Sequence, residues 1–350
     1  MSSRQSVGGN SSSWLKALLV VDVIALVAFL LSYAEIHPHV LSANTFSFRL
    51  LSFPAYYLLA ISIASSIVMF VGYLVSYNFP NGEWEKLGSS DVALVTGGSN
   101  GLGLEITKAL MEKQATVYVL DRVAPPSKLL AGPNLYYLPC DLGNEEDISD
   151  TVDNLLRELR SANRFISVLV NNAGIRDNKA MINLDFSRVK SIFNVNTLSQ
   201  VLILQKVISN HLQHNEMGQL SLVTVSSILG VFAPRNLSIY SASKAAQIMF
   251  HESLQQELKE YPKIRLLLVT PGQMDTELFK DVTPTKQLVA PVVSHVKLAG
   301  IIVERVNKGY MGCLAKPIYA SFLPGVRTAP MFIQDFCRWI SEMDDKIKET

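Results

Sequence analysis

From residue 88 to 315 the chain alternates apolar runs of five to eight residues with longer amphipathic stretches, and this rhythm constrains the fold more than any other feature. The runs read as strands at 91–96, 115–121, 134–140, 166–171, 219–226, 264–270 and 310–314. Helical patterns fall near 101–113, 145–160, 187–214, 238–260 and 290–307. Short buried strands separated by helices predict an α/β fold, a doubly wound parallel sheet. Ligands of such sheets bind outside the carboxyl ends of the strands.

The first strand runs straight into "TGGSNGLG", 96–103. Glycine at a strand-to-helix turn lets backbone N–H groups approach a pyrophosphate held on the helix N-terminus. The second strand ends in "VLDR", which puts Asp121 about 20 residues beyond the glycines, where a carboxylate accepts hydrogen bonds from ribose hydroxyls and repels a 2′-phosphate. Residue 100 is Asn rather than a basic residue. Both features favour NAD over NADP, although Arg122 could pair with a phosphate if Asp121 turned away, so NADP is not excluded.

Two long apolar segments precede this half. Residues 53–77 carry no charge over 25 residues, and a membrane-spanning helix needs about 20. Residues 14–33 carry Lys16 and Asp22; a central Asp costs about 2.5–3.5 kcal/mol, which the surrounding Leu, Val, Ile and Phe outweigh. The expectation is a polar, disordered start at 1–13, a membrane hairpin at 14–77, a linker at 78–87, a catalytic domain at 88–315 and an extension at 316–350. A signal peptide at 14–31 and a hairpin held in one leaflet are the alternatives. The 31 basic residues nearly balance the 30 acidic ones and form no basic tract, so nucleic acid is not an expected partner. The three cysteines show no metal-ligand spacing and read as reduced thiols, so no metal is expected.

Within "SIYSASKAA", 238–246, Tyr240 and Lys244 lie about one helical turn apart and share a face. A cation close to a phenol stabilises phenolate and lowers its pKa. Together with "TGGSNGLG", the motifs "CDL" (140–142), "NNAG" (171–174), "VSS" (225–227) and "PGQMDT" (271–276) resemble those of the short-chain dehydrogenase/reductase family, in the same order, over roughly residues 90–315. The resemblance implies a Rossmann-type domain and an NAD(P)-dependent alcohol dehydrogenase or carbonyl reductase. Tyr240 would be its acid/base, with Lys244 binding the nicotinamide ribose and lowering the tyrosine's pKa. Ser227, thirteen residues before the tyrosine, would hold the substrate oxygen. Asn196 would be the fourth catalytic residue at a helix kink, although Ser199 stands where the family has glycine and Asn194 is nearby. Cofactor contacts would come from Gly97, Ser99, Asn100, Gly101, Leu102, Gly103, Asp121, Asp141, Leu142, Asn172, Ala173, Gly174, Pro271, Gly272 and Thr276, besides Tyr240 and Lys244.

The apolar front and the C-terminal extension are similar to the membrane-anchored branch of the family, the retinol and lipid-droplet 17β-hydroxysteroid dehydrogenases. That likeness implies a lipophilic substrate (sterol, retinoid or long-chain lipid), membrane lipid as a partner, and an endoplasmic-reticulum or lipid-droplet membrane with the catalytic domain facing the cytosol. An NADPH-dependent lipid ketone reductase and a non-catalytic membrane scaffold are the other readings. Helices near 187–214 and 238–260 are candidate homodimer faces. Residues 331–343 are expected to form an amphipathic helix with Met331, Phe332, Phe336, Trp339, Ile340 and Met343 on one side, either packed on the domain or lying on a membrane.

Overall fold

The computed structural model describes residues 63, 66, 67, 84–282 and 290–347. The chain divides into two units, 1–77 and 78–350. Helical Ile63, Ser66 and Ile67 represent the first, so the segments expected at 14–33 and 53–77 otherwise lie outside the described residues. Among the described residues no helix is long and apolar enough to cross a membrane.

Seven strands form one parallel sheet: β1 (Val92–Thr96), β2 (Thr116–Asp121), β3 (Leu135–Pro139), β4 (Ile166–Asn171), β5 (Leu220–Val225), β6 (Ile264–Pro271) and β7 (Gly312–Lys316). Their order is β3-β2-β1-β4-β5-β6-β7, which reverses direction between β1 and β4. The helices are α1 (Gly101–Glu112), α2 (Glu145–Ser161), α3 (Phe186–Phe193), α4 (Ser199–His214), α5 (Ser238–Glu257) and α6 (His295–Asn307). They cover both faces, so every residue of β1, β5 and β6 is buried. The two-residue period of the strands divides the core. Val92 and Leu94 pack with Val152 of α2 and Ile203 of α4, whereas Ala93 and Val95 pack with Ile106 of α1 and Ile302 of α6.

The single helix expected at 187–214 is two helices joined by a π-helical turn, Asn194–Leu198. The helix expected from 290 starts at His295, where the Ser294 side chain accepts a hydrogen bond from the Lys297 N–H and caps it. Beyond β7, three short helices, α7 (Leu323–Thr328), α8 (Met331–Ser341) and α9 (Met343–Lys346), fold back over the carboxyl end of the sheet side occupied by β6 and β7. The apolar residues of α8 do not share one side as expected. Phe332, Phe336 and Trp339 are exposed, while Cys337 and Ile340 face an internal cavity. Glu342 adopts a left-handed conformation (φ 53°), which ends α8 and turns Met343 inward.

Candidate active site

The reversal between β1 and β4 opens a crevice, and buried hydrogen bonds fix both of its lips. Thr96 Oγ1 accepts from the N–H groups of Asn172 (3.0 Å) and Ala173 (3.1 Å), and Asn172 Nδ2 donates to the carbonyls of Thr96 and Gly97. Gly97 needs its left-handed backbone (φ 64°), and a Cβ on Gly103 would sit 2.1 Å from the Gly97 oxygen, so α1 starts as close to the strand as backbone allows. No side chain caps α1 and its first turn holds no carboxylate, which leaves its N–H groups available to an anion. The cleft measures about 820 Å³. The sequence-predicted residues Gly97, Asn100, Gly101, Leu102, Asp121, Asp141, Leu142, Asn172, Ala173, Gly174, Tyr240, Lys244 and Thr276 all line it.

Four predicted cofactor residues stand elsewhere. Ser99 is buried, its hydroxyl donating to the Val123 carbonyl. Gly103 lies beneath the turn, Pro271 is buried as the last residue of β6, and Gly272 borders a separate cavity. A dinucleotide fits the cleft on two grounds: the cradle exists only because Gly103 has no Cβ, and the buried Thr276 Oγ1 has no partner. Asp121 accepts hydrogen bonds from the Ser99 and Val123 N–H groups (3.2 Å each), which holds its carboxylate at the lip.

Helix α5 delivers Tyr240 and Lys244, the predicted acid/base and its neighbour. Tyr240 and Lys244 are buried on one face, followed at helical spacing by the buried Gln247 and His251. Ser227 starts the turn after β5; its Oγ accepts from the Leu229 N–H (3.1 Å), and it is hydrogen-bonded to the Tyr240 phenol. Asn196 is fully buried inside the π-turn. Its Oδ1 accepts from the Ile175 N–H (2.8 Å), and its Nδ2 donates to the Ile175 carbonyl and to Ser243 Oγ (2.9 Å each). Asn194 instead reaches the Gly143 carbonyl at 3.4 Å, so of the two asparagines it is Asn196 that lies against α5.

The electrostatics differ from expectation. Burial pushes the Tyr240 phenol above its ordinary pKa; the Ser227 hydrogen bond and the Arg176 charge pull it back, and Lys244 is not among the influences that lower it. Burial itself takes Lys244 down to about 7, and its Nζ donates to the Val225 carbonyl at 3.1 Å, lying 5.8 Å from the phenol ring centroid. A half-discharged ammonium turned towards a carbonyl has little field left for the phenol.

A second cavity of about 290 Å³ opens on the other side of Ser227. Helices α7–α9 roof it, and among the described residues only Ser227, Gln273, Tyr319, Ser341 and Lys346 bring a side-chain nitrogen or oxygen to its wall. The motifs gave no sign of Arg176 and Phe279. Arg176 is nearly buried, its guanidinium 4.6 Å over the Phe279 ring, and Phe279 meets the Tyr240 ring edge-on at 5.9 Å. Ser243 and Gln247 were also missed, although their polarity at helical spacing from Tyr240 is a readable signal.

A family model for short chain dehydrogenases matches residues 91–287. An oxidoreductase of Saccharomyces cerevisiae, TDA5, is 34% identical over 75% of this chain and 79% of its own length. The ketoacyl reductase HetN of Nostoc is 32% identical over 59% of this chain and 69% of its own. Among solved structures, a short chain dehydrogenase from Burkholderia cenocepacia in complex with NADP is 24% identical, covers 73% of this chain and 99% of its own, and superimposes with a TM-score of 0.57.

Proposed function

The chain belongs to the short-chain dehydrogenase family and is a nicotinamide-dependent oxidoreductase; we propose that it acts on a lipophilic alcohol or ketone, prefers NAD, and works from a membrane. The observation that carries the reading is the apolar cavity that meets Ser227, because a site with so few polar groups favours a substrate whose bulk is hydrocarbon. Its 290 Å³ is at the small end of ligand sites, enough for a ring or a length of chain beside the reacting carbon.

The bound nicotinamide supplies the hydride to a ketone or takes it from an alcohol. The chain's own groups handle the oxygen. In oxidation the Tyr240 oxygen takes the hydroxyl proton; in reduction it returns that proton to the oxygen of the nascent alcohol. Ser227 offers its hydroxyl to the same oxygen, where negative charge develops. Asn196 keeps the backbone after Gly174 locked against α5 through Ile175 and Ser243.

The NAD preference rests on Asp121, whose carboxylate stands at the lip of the cleft. Arg122 favours a second reading, an NADPH-dependent lipid ketone reductase. Its side chain is 69% exposed beside the cleft and pairs only loosely, at 4.0 Å, with Asp141. Membrane attachment rests on the two apolar segments and on the exposed aromatic face of α8. The endoplasmic reticulum or a lipid droplet, with the domain in the cytosol, suits such a substrate. The outer faces of α4 and α5, where Met249 is exposed, suit a homodimer.

The test is turnover of the detergent-solubilised full chain on sterol, retinoid and long-chain alcohol panels with NAD or NADP. We expect activity with NAD, and Tyr240→Phe should lower it by about 10²–10⁴-fold with cofactor binding retained. Asp121→Ala should narrow the gap between the two dissociation constants. A wild type that binds NADP(H) more tightly would give the cofactor site to Arg122 and favour the reductase. Activity confined to small polar alcohols would overturn the lipophilic reading.

A further inference from the structure

One stretch of chain forms the partition between the cleft and the apolar cavity. Thr276, Glu277 and Leu278 line the cleft, whereas Phe279 and Val282 line the cavity. No residue of its short 3-10 turn, Glu277–Phe279, is fully buried, and apolar packing holds only Phe279 and Val282, against Leu237, Tyr240 and Ile347. The anchor comes from elsewhere, two residues beyond Gly174. Arg176 Nε donates to the Leu278 carbonyl, its Nη2 pairs with Asp281, and its planar face covers the Phe279 ring. Asn178 reaches the other Asp281 oxygen at 3.4 Å. Arg188 Nη2 donates to the Arg176 carbonyl at 2.8 Å, fixing the anchor's own backbone. Only a guanidinium makes these three contacts at once: an edge donor to a carbonyl, an end donor to a carboxylate and a face to a ring.

We propose that Arg176 is a positioning residue for the reaction: it pins residues 276–282 against Tyr240, sets the substrate wall through Phe279, and holds a permanent positive charge beside the phenol. The charge role rests on the dehydrogenase reading; the pin does not. Among the described residues the charged groups on the surrounding elements are few. Lys244 on the tyrosine's own helix turns to the Val225 carbonyl. Glu277 and Lys280 pair with each other in solvent, Asp177 pairs with Arg188, Arg338 with Asp344, and Lys346 with Glu342. Asp281 is engaged by Arg176 itself. Burial raises the phenol's pKa; against it act the Ser227 hydroxyl and then the charge of Arg176, which faces Tyr240 across the Phe279 ring, 4.6 Å from the guanidinium and 5.9 Å from the tyrosine ring.

Three variants of the full chain separate the two roles: Arg176→Met, Arg176→Lys and Asp281→Asn. The first readout is amide hydrogen exchange over 276–282 without substrate or cofactor. All three should speed exchange there, Arg176→Met by about fivefold or more, because local opening follows the loss of local contacts. The second readout is the pH dependence of alcohol oxidation. Removing a positive charge raises the phenol's pKa, so Arg176→Met should move the acid limb of kcat up by about half a pH unit or more. Arg176→Lys and Asp281→Asn keep the cation and should leave the limb in place or lower it while raising KM. Exchange in Arg176→Met equal to wild type overturns the pin. A limb unmoved in Arg176→Met, or moved up equally in Arg176→Lys, overturns the charge role. If wild type turns over no substrate, the dehydrogenase reading and the charge role with it fail, while the exchange result still decides the pin. If Arg176→Met does not fold, Arg176→Lys and Asp281→Asn carry the test of the pin, and Arg176→Gln, which also lacks the charge, carries the test of the limb.

Discussion

Lys244 carries a thermodynamic cost that its chemistry explains. Burial holds its pKa near 7 in the folded chain, against 10.5 for an ordinary lysine. The sign follows from linkage. Because the folded pKa is depressed, the penalty is full below about pH 7, where a buried ammonium must be kept charged, and it fades to nothing as pH rises to 10.5. Lys244→Met should therefore raise the melting temperature at pH 6, with the gain shrinking towards pH 10. Orphaning the Val225 carbonyl costs about 1–3 kcal/mol at every pH and reduces the net gain without altering its trend. Melting curves of the variant and wild type from pH 6 to 10 check this, and a constant difference across that range would refute it. At this scale the sequence is legible where chemistry is local. Tyr240 and Lys244 lie one turn apart on one helix, so their spacing exposes their shared face. Arg176 is more than a hundred residues from the Asp281 it binds, and only the return of the chain after β6 brings them together. Where the Lys244 ammonium points is not legible in the same way: spacing shows which side chains share a face, while burial and the nearby Val225 carbonyl decide the direction of the Nζ donor.

At the scale of elements, the strand pattern was read to within a residue or two, because buried strands are apolar runs bounded by turn residues. The π-turn shows in the sequence only through the kink that the family resemblance implies at Asn196, because residues 187–214 keep an unbroken apolar period through it and the extra backbone residue leaves no compositional mark. What the turn does is visible in Asn196, which the widened backbone presents to the Ile175 N–H and carbonyl at once. Gln247 from α5 donates to the Asn196 carbonyl, completing a tie between the π-turn and the helix of Tyr240. Asn196→Ala leaves both Ile175 groups, which are half-buried, and the buried Ser243 hydroxyl without this partner. An orphaned buried group costs about 1–3 kcal/mol, so we expect a loss of about 2 kcal/mol or more in urea unfolding. Asn196→Asp keeps the acceptor for the Ile175 N–H and loses the donors, and should fall between the two. An alanine variant with wild-type stability and rate would mean that water replaces the side chain fully.

At the scale of the whole molecule, the linker and the C-terminal extension bind the domain at two separate places. Trp84 Nε1 donates to the Val306 carbonyl (3.1 Å), Arg265 lies 5.5 Å over the Trp84 ring, and the Leu87 N–H donates to Asn307 Oδ1 (2.9 Å). A Cβ on Gly309 would strike the indole at 2.4 Å, so the ring rests on bare backbone. Composition suggested a plain spacer at 78–87, and its second half is instead part of the fold. A chain of residues 84–350 should therefore fold, whereas residues 89–350 should be less stable by about 2 kcal/mol, or roughly 4–8 °C in Tm. The extension works from the other side. Asn236 Nδ2 donates to the Ile347 carbonyl (2.9 Å), and Asp344 Oδ1 accepts from the Arg235 N–H (2.8 Å). These contacts hold α8 over the cavity with Phe332 at 72%, Phe336 at 56% and Trp339 at 72% exposure. Three aromatics left in water on a helix whose other side lines the substrate cavity suit a lipid interface, where each gains part of the roughly 1.5–3 kcal/mol of full burial. On the membrane reading proposed above, the full chain should float completely with phosphatidylcholine vesicles, residues 84–350 should float in part, and 84–350 with Phe332→Ser, Phe336→Ser and Trp339→Ser should stay with the soluble fraction. Equal flotation of 84–350 with and without the three substitutions would exclude α8 as the lipid contact. A full chain that stays soluble would refute the anchor itself.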